Sequence, residues 1–124
     1  MQLLVADDNE INLRVACAHL KALGIPAESI KTAVNGREAT ELCYIEDFDL
    51  VFMDIQMPEV DGVEATREIL KNTKIKPTIV ALTANTSESS AEEFLEVGMQ
   101  MVIHKPVNKS AFIRALKLAN IVLS

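Results

Sequence analysis

At 124 residues, 49% hydrophobic and 24% charged, the chain has the size and composition of one globular domain, which excludes a disordered or fibrous protein. Eighteen acidic against 12 basic residues leave a net charge of −6, which argues against nucleic-acid binding, a mode that needs a basic face. No apolar run reaches the roughly 18–20 residues of a membrane span, and Asp7, Asp8 and Glu10 stand where a signal peptide would need apolar side chains.

Strand-like and helix-like segments then alternate. Residues 2–6 form a short apolar run ending in acids, a buried strand. Residues 9–23 follow, with Ile11, Val15, Ala18 and Ala22 at helical spacing, an apolar stripe. Gly24 stops this helix in a left-handed cap, with Pro26 just beyond. A weaker strand spans 30–34. Asn35-Gly36 turns into a helix over 37–45 with Ala39, Leu42 and Cys43 inward. Residues 49–53 are the clearest strand, apolar enough to be covered on both faces. A loop containing Pro58 runs over 54–61. Asp61 with Glu64 three residues later then caps a helix to about residue 70. Residues 78–82 form a fourth strand. A helix capped by Ser87 follows, with Ala91, Phe94 and Leu95 inward and Gly98 closing it. Residues 101–103 form a fifth strand. The last helix opens at Asn108 or Ser110 and repeats Phe112, Leu116 and Ala119.

Five β–α units with short connections and no linker imply an α/β fold, a parallel sheet covered by helices on both faces. Five are too few for an eight-fold barrel, which leaves an open doubly wound sheet with strand order 2-1-3-4-5 and right-handed crossovers. Cys17 and Cys43, 26 residues apart, form neither a disulfide framework nor a zinc spacing, and suit a reduced cytoplasmic protein. His19 and His104 have no ligand partners at metal spacing. His104 is expected to point away from its neighbour Lys105 as a surface residue, and Met53, Met57, Met99 and Met101 to fill core and loops.

In such a sheet, ligands bind beyond the carboxyl ends of the strands, where the strand order reverses. The first strand ends in Asp7-Asp8, the third in Asp54, the fourth in Thr83-Ala84 and the fifth in Lys105-Pro106, so these groups would meet at one edge. Each has a bland reading alone: an Asp-Asp pair often caps a helix, and most lysines are solvated. Together they describe chemistry. Three converging carboxylates repel, and a hard divalent cation such as Mg2+ relieves the repulsion. Thr83 adds a hydroxyl and Lys105 a compact positive charge for a phosphate. Asp54, closing the central strand, is the candidate nucleophile for a covalent phosphoryl intermediate, which leaves Asp7 and Asp8 for metal.

At these residues the chain closely resembles the receiver domain of two-component response regulators. The matching segments are Leu4-Val5-Ala6-Asp7-Asp8-Asn9, Met53-Asp54-Ile55-Gln56-Met57-Pro58, Asp61-Gly62, Ala81-Leu82-Thr83-Ala84 and Lys105-Pro106, in order and spacing, and the resemblance covers the whole chain, residues 1–124, as a single receiver domain. It implies a flavodoxin-like fold and phosphorylation of Asp54 by a phosphohistidine on a histidine kinase or histidine phosphotransfer domain. It further implies Asp8 as a direct Mg2+ ligand, Asp7 acting partly through water, and the Gln56 backbone carbonyl completing the protein ligands. Thr83, the Ala84 N–H and Lys105 would hold the phosphoryl group, and a cis bond is expected before Pro106. One position departs from the family: Val102 stands where Tyr or Phe is usual, which predicts a smaller or differently placed rearrangement of residues 85–94 on phosphorylation.

The leading expectation is therefore a phosphorelay receiver that switches conformation or passes its phosphate to a histidine phosphotransfer domain. Asp8-Asn9-Glu10-Ile11-Asn12, Gln56 and Glu64-Ala65-Thr66 resemble receivers attached to hybrid histidine kinases more than free transcription regulators. A stand-alone response regulator is the alternative. An aspartate-nucleophile phosphatase fits less well, because that class wants Asp-x-Asp-x-Thr and this chain has Asp7-Asp8-Asn9-Glu10. A degenerate receiver serving only as a scaffold conflicts with retention of all five site positions. On its own the chain would show only self-phosphorylation and slow self-dephosphorylation. It would contact the partner through the first helix and nearby loops (Ile11, Val15 and Pro106), with no nucleic acid and no direct membrane contact. It would act as a monomer or weak dimer in the cytoplasm, or as the cytoplasmic part of a membrane-bound sensor kinase.

Overall fold

The computed structural model describes residues 1–84 and 88–122. Its elements run β1 (Leu3–Ala6), α1 (Glu10–Ala22), β2 (Ile30–Ala33), α2 (Gly36–Ile45), β3 (Leu50–Asp54), α3 (Gly62–Asn72), β4 (Thr78–Thr83), α4 (Glu88–Glu96), β5 (Met101–His104) and α5 (Lys109–Leu118), with one 3₁₀ turn at Ala27–Ser29. The five strands form one sheet in the order β2-β1-β3-β4-β5, with every pairing parallel. This is the expected doubly wound order. No helix among the described residues is long and apolar enough to cross a membrane.

Strand alternation builds two cores. Leu3, Val5, Leu50, Phe52, Val80 and Leu82 point to one face, where Leu13, Ala16 and Leu20 of α1 and Phe112, Ala115 and Leu116 of α5 cover them. Leu4, Ala6, Val51, Met53, Ile79 and Ala81 point to the other, beneath α2, α3 and α4. Phe52 meets Phe112 edge to face, with centroids 5.1 Å apart. The helices start where short polar side chains accept orphan amide hydrogens. Asn9, Asn35, Asp61 and Asn108 cap α1, α2, α3 and α5 through their side-chain oxygens. Asn108, rather than Ser110, opens the last helix; the expected Ser87 cap lies outside the described residues. Gly24 and Gly98 hold φ of 100° and 110°, as their capping roles require.

The Ile11–Val15 stripe of α1 faces solvent, and one side chain of α4, Leu95, points the other way from expectation. Ile11 and Val15 are 69% and 43% exposed, and Ala18 and Ala22 are also exposed. Helix α1 carries a second stripe, Leu13, Ala16 and Leu20, rotated about half a turn away. Leu13, Ala16 and Leu20 lie in the core with Leu3, Val5 and Phe52 of the sheet. Leu95 is likewise exposed, while its neighbour Phe94 enters the core. Smaller differences are a start to α2 at Gly36, an α3 that runs to Asn72, and strands β3, β4 and β5 that each reach one residue further, to Asp54, Thr83 and His104.

Gly36 touches the loop that leads from β3 to α3. A Cβ there would lie 1.9 Å from the Val60 carbonyl oxygen and 2.7 Å from its carbon. Gly→Ala inside a helix ordinarily gains up to ~1 kcal/mol. Here the neighbour is backbone and cannot rotate away, so overpacking outweighs that gain. Gly36→Ala is expected to cost about 2 kcal/mol, read as a lower urea midpoint at unchanged m-value.

Candidate phosphoryl-transfer site

The parallel registers Ala6↔Met53 and Asp54↔Leu82 bring the ends of β1, β3 and β4 level. Asp7 extends the ladder past β1, its N–H donating to the Ala33 carbonyl at 3.0 Å. Lys105 extends β5, its N–H donating to the Thr83 carbonyl at 2.8 Å. After Asp54 the chain turns sharply. Ile55 N–H donates to the Leu82 carbonyl, Glu59 takes a φ of 67°, and Gly62 N–H donates back to the Ile55 carbonyl. The return is possible because residue 62 is glycine: a Cβ there would lie 2.2 Å from the Asp54 carbonyl oxygen.

The result is a hollow of about 310 Å³, whose walls include Asp7, Asp8, Asp54, Gln56, Thr83, Ala84 and Lys105, every residue the sequence singled out for chemistry. Asn9, Asn12 and Ile55 complete it. One carboxylate oxygen from each of Asp7, Asp8 and Asp54 lies within 4.8 Å of the others. Lys105 Nζ sits 3.3 Å from both Asp7 Oδ2 and Asp54 Oδ1. The other Asp7 oxygen accepts the Asn9 N–H at 2.9 Å. Asp7, Asp54 and Thr83 are buried, whereas Asp8 and Ala84 face solvent. All three donors of the cluster are carboxylates, with no histidine or thiolate, a set suited to a hard cation and unsuited to zinc. The bond before Pro106 is cis.

Burial, and then the charge of Asp7, push the Asp54 carboxyl up to about 6, while Lys105 pulls the other way. Burial lowers the Lys105 ammonium, but Asp54 and Asp7 outweigh it and the net shift is upward. An unfolded Asp54 would titrate near its ordinary value of about 4. Between pH 4 and 6 the native state therefore keeps a proton that the unfolded state has released, and stability falls as pH rises through that window. Metal-free Asp54→Asn is expected to melt a few degrees above wild type at pH 7, from about 1–2 kcal/mol, with the gap closing by pH 4 in thermal melts.

The other expectations for single residues have mixed places. His104 is exposed, and Met53, Met57 and Met99 are buried. Val102 is half-buried against the core under α2–α4 and is not part of the hollow; residues 85–87 of the segment expected to move with it lie outside the described residues. His19 stacks on Phe112 at 5.4 Å between α1 and α5. Cys43 is buried, its thiol pushed up to about 12 by burial. A larger hollow of about 580 Å³ lies between the C-terminal ends of α2 and α3, at the opposite edge of the sheet, and gathers no carboxylate cluster. Asn12 was not anticipated as part of the site. Its signal is its spacing, one helical turn beyond the acidic pair.

Carboxylates, a lysine and a hydroxyl thus meet at the switch point of a 2-1-3-4-5 sheet, a set suited to a hard cation and a phosphoryl group. The sequence profile of the response regulator receiver domain family matches residues 3–117, and the chain belongs to this family. It is 38% identical, over 96% of its own length, to hybrid signal transduction histidine kinase H of Dictyostelium discoideum. The chain spans only 9%, 13% and 10% of the first curated relatives it matches. Among solved structures, the receiver domain of sensor histidine kinase PA1611 from Pseudomonas aeruginosa, with a magnesium ion in its active-site cleft, matches 96% of this chain and 97% of that one, at 28% identity and a TM-score of 0.84. The receiver domain of Ssk1, in complex with the histidine phosphotransfer protein Ypd1 from Saccharomyces cerevisiae, matches 97% of this chain and 89% of that chain, at 30% identity and a TM-score of 0.84. The chain is thus a receiver domain similar to those of hybrid histidine kinases.

Proposed function

We propose that Asp54 is the phosphoacceptor, that it takes its phosphoryl group from a phosphohistidine, and that the parent protein is a hybrid histidine kinase passing the group on to a histidine phosphotransfer domain. The observation that carries this is the convergence of Asp7, Asp8, Asp54 and Lys105 on one hollow. Asp7, Asp8, Asp54 and the Gln56 carbonyl would hold Mg2+, which when bound supplies the positive charge that offsets their repulsion. With its carboxyl near 6, Asp54 is mostly ionised at pH 7 and can attack phosphorus. The O–P bond to Asp54 forms as the N–P bond breaks, and the leaving imidazole takes a proton from solvent. Lys105, already beside Asp54, shifts its charge onto a phosphoryl oxygen, while Thr83 and the Ala84 N–H take the remaining oxygens. The product adds a charge of about −1.5 to −2 at the sheet edge, which biases the neighbouring loops. The reduced, acidic chain suits the cytoplasmic side of a sensor.

Beside the hollow, an apolar groove of about 250 Å³ runs between α1 and the β5–α5 loop, lined by Val15, Ala16, Leu82, Pro106 and Val107 among others. The exposed Ile11 stands one turn before Val15 on the same helix. A phosphodonor covering this face would reach Asp54. Ile11→Asp with Val15→Asp is expected to slow transfer from a phosphorylated phosphotransfer protein tenfold or more, while labelling by acetyl phosphate stays within twofold.

The direct test is incubation with Mg2+ and acetyl phosphate, followed by the chemistry of the label. One acid-labile, hydroxylamine-sensitive phosphate per chain is expected. Steady multiple turnover of a phosphate ester would instead make the protein an aspartate-nucleophile phosphatase.

A further inference from the structure

Three residues wall both the acidic hollow and the apolar groove: Asp7, Asn12 and Lys105. Asp7 and Lys105 are paired with each other at 3.3 Å. The Asn12 carboxamide makes no hydrogen bond among the described residues, although its backbone is pinned, its N–H donating to Asn9 Oδ1 at 3.2 Å. A neutral donor on a fixed backbone thus stands at the junction of the groove and the hollow.

The chemistry of the carrier says what that donor can do. A phosphorylated imidazole bears phosphorus on one ring nitrogen and a lone pair on the other. As the N–P bond breaks, negative charge develops over the ring until a proton arrives. A hydrogen bond to the second nitrogen would strengthen as that charge grows, which speeds departure rather than merely tightening binding. In the reading above Lys105, Thr83 and the Ala84 N–H are taken up by phosphoryl oxygens, which leaves Asn12 as the donor at the junction. A carboxylate in place of Asn12 would repel the charge, and a second lysine would compete for the acids.

Resting on the phosphohistidine reading above, we propose that Asn12 is a positioning and specificity-determining residue whose amide donates to the free ring nitrogen of the phosphodonor imidazole. It would favour imidazole-borne phosphate over acyl phosphates.

The test compares two small donors on the same chain with Mg2+ present, N-phosphoimidazole and acetyl phosphate, by single-turnover labelling. Asn12→Ala is expected to lower the ratio of the phosphoimidazole rate to the acetyl phosphate rate about tenfold. Asn12→Asp, of the same size but without the N–H, is expected to lower it further, and circular dichroism checks that both remain folded. A ratio within twofold of wild type in both variants overturns the proposal, as does wild-type labelling by acetyl phosphate with none from phosphoimidazole. Persistence of the label in Asp54→Asn would instead overturn the phosphoacceptor assignment, so the two failures are distinct.

Discussion

Asp54→Asn is expected to fold normally yet incorporate less than a hundredth of the wild-type label from acetyl phosphate. The amide is nearly the same size and keeps the Ile55 and Gly62 backbone contacts, which do not involve the side chain. It lacks the anionic oxygen that attacks phosphorus. The other two acids cannot replace it. Asp7 is buried, with both oxygens engaged by Asn9 N–H and Lys105. Asp8 is exposed and outside the Lys105 ion pairs. Mass spectrometry of the hydroxylamine-treated protein would read the site directly. Label on Asp7 or Asp8 of the variant, at more than a tenth of the wild-type amount, would refute the assignment.

Chelating divalent cations is expected to suppress labelling of the wild-type chain by at least a hundredfold. Two unit charges 4 Å apart interact by about 4 kcal/mol at an effective dielectric of 20, and each 1.4 kcal/mol is tenfold in rate. The three carboxylates are about that close, and an incoming phosphoryl donor adds its own negative charge. Lys105 alone cannot balance them. The same repulsion makes the cation a stabiliser: at 100 times its dissociation constant, Mg2+ should add about 2.7 kcal/mol to unfolding. Thermal melts with and without Mg2+ would show a rise of several degrees in wild type and a smaller one in Asp8→Asn. Undiminished labelling in EDTA would exclude the metal reading.

The fold was legible because its signals are local and repeated. Four apolar residues in a row at Leu50–Met53, caps at Asp61 and Asn108, and stops at Gly24 and Gly98 each depend on a few neighbours in the chain. The alternation of such segments leaves few topologies for a chain this short. The acidic, hydroxyl and lysine residues were legible as a site because each closes a strand, and parallel strands end together.

Which face of α1 packs was not legible. Ile11–Val15 and Leu13–Ala16–Leu20 are both helical stripes, and only the placement of α1 on the sheet and beside α5 decides between them. Leu95 shows the same limit, since adjacent helical residues differ by 100° and the core admits Phe94. Gly36 read as part of a turn; its close approach to Val60 depends on a loop 24 residues away.

By itself, the sequence determined the order of elements, the residue types at every strand end and hence the class of chemistry, because propensity, capping and charge are properties of neighbouring residues. Only the tertiary structure decided that the Asp54 carboxyl is buried beside Asp7 and Lys105, with its pKa pushed up to about 6, and that Asn12 joins the acidic hollow to an apolar groove. Burial, electrostatic coupling and shared walls arise between residues up to 98 positions apart, and exist only once the sheet has aligned them.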